Sequence, residues 1–202
     1  MSRRPSILIA ITAVLLLFGV MPAGASPRIP RFASKGLPEI APPAQAPAER
    51  AFSISRKDGN DVPGPLDLAS MKISRGKTKD TVAFSARESV SNTALDPSNG
   101  NFAILIDVND DREYDYGQYV FFAAGKLRGT LVNLSTNNLI DRTVPTSRTG
   151  AKSFRQVVQR AKIHSPGTYR FAVYGYYQAS PCSKQHPCVD TIPNRYPLIP
   201  LD

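Results

Sequence analysis

The apolar stretches of this chain are short, alternate with polar residues, and are broken at intervals of roughly eight to twelve residues by Gly, Pro, Asn and Asp. Val82, Phe84 and Ala86 alternate with Ala83, Ser85 and Arg87. Tyr169, Phe171, Val173 and Tyr177 share one face of a run from Thr168 to Gln178. Period two is the spacing of a strand with one buried face, and helical periods of useful length are few. The pattern therefore predicts an antiparallel β-sandwich, jelly-roll-like, with a closed barrel as the alternative.

Further strands are expected at Phe52–Ile54, Leu66–Ser74, Asn101–Val108, Gln118–Ala123 and Lys126–Leu134, while 151–163 reads equally as a strand or a short helix. The run at 101–108 differs from the others. Phe102, Ile104, Ile106 and Val108 fall on one face, yet Ala103 and Leu105 are apolar on the other, so this strand should be covered on both sides.

The ends of the chain point to export. Arg3 and Arg4 precede an apolar run from Ile7 to Val20, and Ala23-Gly24-Ala25 has the A-x-A form of a cleavage site, so residues 1–25 read as a signal peptide. That run is short for a membrane span, and no stable span is expected once it is removed. Residues 26–50 hold six prolines, which cannot donate backbone hydrogen bonds, and read as an extended leader without fixed structure. The sandwich domain is then 51–202, and the expected location is periplasmic or extracellular. Cys182 and Cys188, the only two cysteines of the chain, are expected to form a disulfide in that setting.

The formal charge is +9, or 9 − 2 = +7 without Arg3 and Arg4. An excess of this kind suits attraction to anionic envelope polymers. No motif that reads nucleic acid accompanies it, so nucleic acid is not an expected partner.

Against that basic background, five of sixteen acidic residues crowd into the nine positions Asp107 to Asp115. Oxygen donors at alternate positions converge in a tight turn, and Asp107, Asn109, Asp111 and Asp115, with the Glu113 carbonyl, have the spacing of a calcium loop. Arg112 stands where an EF-hand needs Gly, and Gln118 where it needs its bidentate Glu, so an EF-hand is ruled out. A solvated hairpin tip holding no ion is the other reading. Asp58, Asp61 and Asp67 form a looser acidic group, read either as turn caps or as part of a calcium site.

Gly64-Pro-Leu-Asp-Leu68, the strand ending Ile-Leu-Ile-Asp107, the acidic turn and Gly167-Thr-Tyr-Arg-Phe171 resemble the layout of secreted bacterial domains related to the DOMON and family-9 carbohydrate-binding β-sandwiches. The resemblance spans roughly Ala51 to Gln178. It implies a jelly-roll-like fold, a structural calcium ion, and a face that binds sugars in some relatives and haem in others.

For sugar, Tyr174, Tyr176 and Tyr177 are the candidate ligand face, although the chain has no Trp. For haem, Met71, His164 and His186 are the axial candidates available after the signal peptide. No nucleophile elbow, zinc-protease motif or phosphate loop is present, so no catalytic residue is assigned. The functional expectation is a non-catalytic binding module for carbohydrate or a cell-envelope polymer. An adhesion or structural module without a small ligand, and a hydrolase of unrecognised type, are the alternatives.

Overall fold

The structure is a computed structural model that describes residues 53–165, 169–193 and 199–201. The expected signal peptide and leader, residue Phe52, and Pro166 to Thr168 lie outside the described residues. The domain is an all-β sandwich of two antiparallel sheets. No described helix is long and apolar enough to cross a membrane.

The first sheet, sheet A, has the order β1 (Ser53–Lys57), β2 (Leu68–Arg75), β3 (Lys79–Ala86), β9 (Ser153–Gln159) and β8 (Thr146–Arg148). Sheet B has the order β11 (Cys188–Ile192), β10 (Tyr169–Tyr177), β4 (Gly100–Asp107), β5 (Tyr116–Ala123), β6 (Lys126–Asn133) and β7 (Asn138–Asp141). A short β12 (Ile199–Leu201) also pairs with β10. The ambiguous 151–163 segment is both things expected of it, since β9 runs into a single 3-10 turn at Arg160–Ile163.

Alternation places one apolar row from each strand between the sheets. Met71, Ile73, Val82, Phe84, Phe154 and Val158 of sheet A meet Phe102, Ile104, Ile106, Val120, Phe171 and Val173 of sheet B. Phe84, Phe102 and Phe154 join the layers directly, with ring centroids 5.1 to 5.6 Å apart. Polar groups cross between the sheets as well: Gln156 of β9 donates from Nε2 to the Tyr119 carbonyl of β5 at 3.2 Å, and the Tyr169 hydroxyl of β10 donates to Asp80 Oδ2 of β3 at 2.9 Å.

The two outer faces are unlike. Sheet A turns Ser70, Lys72, Ser74, Thr81, Ser85 and Arg155 outward, all exposed or half-buried. Sheet B turns Ala103, Leu105, Tyr119, Phe121, Val132 and Tyr174 outward, and all are buried. Every residue of β4 is buried, as the doubly apolar pattern required. The members of this outer layer all come from sheet B or the ends of its strands, and sheet A contributes none.

Candidate functional site

The acidic stretch connects β4 to β5, and its donors turn toward the loop's own backbone. Asp107, fully buried, accepts the N–H groups of Asn109 at 3.2 Å and Asp110 at 2.7 Å on Oδ1, and that of Arg112 at 3.1 Å on Oδ2. Asn109 Oδ1 accepts the Asp111 N–H at 3.1 Å, Asp111 Oδ1 accepts the Glu113 N–H at 2.8 Å, and Asp115 Oδ2 accepts the Val108 N–H at 2.8 Å.

These side chains stand in for a strand partner where the backbone turns through the left-handed region, at Asp110 (φ 61°) and Arg112 (φ 70°). Arg170 on β10 grips Asp110 with two parallel contacts, Nε to Oδ1 at 2.6 Å and Nη2 to Oδ2 at 2.7 Å. Burial raises the Asp107 carboxyl above its ordinary value despite the three backbone donors. Burial likewise raises Asp115, helped by the charges of Asp111 and Glu113.

A different set of carboxylates converges in space. Among the described residues, the one group of three or more Asp, Glu, His or Cys side chains whose ligand atoms lie within 4.8 Å of one another is Asp58, Asp61 and Asp190. Asp58 follows β1, Asp61 lies in the connection to β2, and Asp190 sits in the middle of β11 on the other sheet.

Asp67, just before β2, makes a carboxyl-to-carboxyl contact with Asp190. The approach depends on Gly175 of β10, the register partner of Asp190. A Cβ there would stand 2.3 Å from the Leu66 carbonyl oxygen, so only Gly lets the 64–67 segment lie against β10 and β11.

Asp190 is held in place by two backbone donors, Leu68 N–H to Oδ2 at 2.5 Å and Thr191 N–H to Oδ1 at 2.7 Å. Its carboxyl is nonetheless pushed up to about 7, first by burial and then by the charges of Asp58 and Asp61. Asp67 is raised as well, because burial outweighs the Arg87 guanidinium, whose Nε lies 3.2 Å from Asp67 Oδ2. The same guanidinium binds the carbonyls of Gly59 and Asp58, so it ties the loop to the end of β3.

The sequence reading gathered Asp58, Asp61 and Asp67 but passed over Asp190. A lone carboxylate inside the strand Cys188-Val-Asp-Thr-Ile192 was the available signal, since a charge in a short apolar run seldom stays buried without a partner.

The disulfide expected between Cys182 and Cys188 is present, and it braces the same corner. Cys188 opens β11, and Cys182 Sγ lies 3.6 Å from the Pro63 carbonyl oxygen in the connection that carries Asp61 and Asp67.

The three tyrosines divide between two faces. Tyr174 and Tyr176 belong to the outer layer of sheet B and are 5% and 0% exposed, with the Tyr176 hydroxyl donating to Gln178 Oε1 at 2.8 Å. Tyr177 lies on the inner side, half-buried against the core beside Gly64. Two polar atoms share the outer layer with Tyr174 and Tyr176. Asn101 Oδ1 and Thr130 Oγ1 are buried there without a hydrogen-bond partner among the described residues. Of the haem candidates, Met71 is core, while His164 and His186 are exposed on turns.

Comparison with protein families, with curated proteins and with solved structures finds no match to this chain. What fold and site define is thus an all-β sandwich with one disulfide, an apolar-aromatic outer layer on one sheet, and a carboxylate cluster at the junction of both.

Proposed function

We propose that this protein is an exported, non-catalytic binding module whose ligand seat is the outer layer of sheet B, with carbohydrate or a cell-envelope polymer as the ligand class. The observation that carries the reading is the presence of Asn101 Oδ1 and Thr130 Oγ1, buried and without a partner among the described residues, beside Tyr119, Tyr174 and Tyr176.

Buried polar atoms are normally hydrogen-bonded, and leaving one unmade costs roughly 1–3 kcal/mol. A sugar supplies what both atoms lack, since its ring offers an apolar face to tyrosine while its hydroxyls donate and accept at the edge. Leu105, Phe121 and Val132 in the same layer favour a second reading, an apolar protein partner.

Retention on envelope polysaccharides tests the first reading. The full chain and the chain processed after Ala25 are compared. Retention that falls in Asn101→Ala and Thr130→Val supports the proposal. Absence of retention by either form on any polysaccharide, with capture of a protein partner instead, transfers the layer to the second reading.

A further inference from the structure

We propose that Asp58, Asp61, Asp67 and Asp190 form a calcium site that clamps the corner where the β1–β2 connection of sheet A meets β11 of sheet B. The inference is independent of the ligand seat on the outer layer. Three of these residues bring ligand oxygens within 4.8 Å of one another. Oxygens bound to one calcium ion at about 2.3–2.6 Å are at most about 5 Å apart, so the spread is that of a single coordination sphere.

The second observation concerns the fourth residue. Asp67 is 4% exposed, its Oδ2 faces Arg87, and among the described residues its buried Oδ1 has no N–H donor, only the Asp190 carboxyl beside it. A carboxylate oxygen in that position is complete once a cation lies beside it.

The chemistry selects the ion. The converging side chains are carboxylates, without the thiolate or imidazole that zinc takes, and both cysteines are bonded to each other. Magnesium keeps most of its water and takes one or two carboxylates, whereas calcium accepts six to eight oxygens in adaptable geometry. Asp58 and Asp61 sit on a partly exposed loop and can adjust to the ion, while Asp190 is fixed within β11 by the Leu68 N–H and Asp67 is held by Arg87. Calcium there ties a loop of sheet A to the edge strand of sheet B, beside the disulfide.

Titration calorimetry and thermal melting of the full chain with calcium chloride, after chelator treatment, test the site. One binding event and a raised Tm are expected in the wild type. Asp58→Asn with Asp61→Asn should weaken binding at least about tenfold, and Asp111→Asn in the β4–β5 loop should leave it unchanged. Melting in chelator shows that the double variant folds; should it not, Asp61→Asn alone, at an exposed position, gives the same reading. No heat and no Tm change up to about 10 mM calcium overturns the proposal, given that weak extracellular sites bind at about 0.1–1 mM. Binding lost in Asp111→Asn and kept in the double variant overturns it equally.

Discussion

Asp190→Asn should stabilise the calcium-free protein at pH 8 and do little at pH 5. The carboxyl of Asp190 moves from 3.8 to about 7 on folding, because it is buried beside Asp58 and Asp61. Between those two values the folded state holds a proton that the unfolded state has released, so stability falls as pH rises through this window.

At pH 8 the full penalty is on the order of 4 kcal/mol, at 1.36 kcal/mol for each pKa unit. Asn carries no charge and removes it. Asn also has one oxygen where Asp190 uses two, for the Leu68 and Thr191 N–H groups, and losing one of those bonds costs about 1 kcal/mol. The charge effect wins, and a net gain of about 3 kcal/mol remains at pH 8, or roughly 6–12 °C in Tm for a domain of this size.

At pH 5 the wild type has met only the first part of this window, about 1.6 kcal/mol, and the lost acceptor offsets most of what the variant gains there. Asp67, Asp107 and Asp115 are raised too, whereas Asp141 is lowered because hydrogen bonds from Lys162 and Thr143 overcome its burial. The wild-type pH slope is therefore a sum, and the difference between variant and wild type is the quantity to read. Circular-dichroism melts in chelator at both pH values measure it. A variant that melts at or below wild type at pH 8 refutes the account, as does an equal gain at both pH values.

Three further outcomes follow from the same geometry. Gly175→Ala should cost about 1–3 kcal/mol through overpacking, since the Leu66 carbonyl is backbone and cannot step aside, and it should weaken calcium binding in the same titration. Replacing Cys182 and Cys188 by Ser should cost about 2 kcal/mol in chemical denaturation, the value for so short a closed loop, with faster hydrogen exchange at β11. Arg170→Ala should cost under about 1 kcal/mol, because Asp110 is 46% exposed, yet amides 108–115 should lose exchange protection.

β2, β3, β4, β5, β6 and β10 were legible because apolar residues recur along each between clear turn signals, whereas β9 stayed ambiguous because Gln156 interrupts its buried row of Phe154 and Val158. β7, β8 and β11 were missed for a common reason. They are edge strands of three to five residues, and β8, Thr-Ser-Arg, has no apolar residue at all.

Crowding of carboxylates along the chain and convergence in space proved to be different properties. Asp107, Asp111 and Asp115 accept N–H groups of their own loop, which is a local arrangement. Asp190 reaches Asp58 and Asp61 only because two sheets stack, with 122 positions between Asp190 and its backbone donor Leu68. No local pattern encodes that meeting.

The Gln156 amide has a consequence for the uniqueness of the fold. Apolar rows of similar size slide past one another at little cost, since the hydrophobic effect has no direction. A donor that reaches the Tyr119 carbonyl across the gap acts as a dowel between the layers, and a shifted stacking leaves that amide only the Thr146 hydroxyl of its own sheet. Gln156→Leu should thus keep the sandwich folded while loosening its alignment, which would appear as broadened side-chain resonances from Phe84, Phe102 and Phe154.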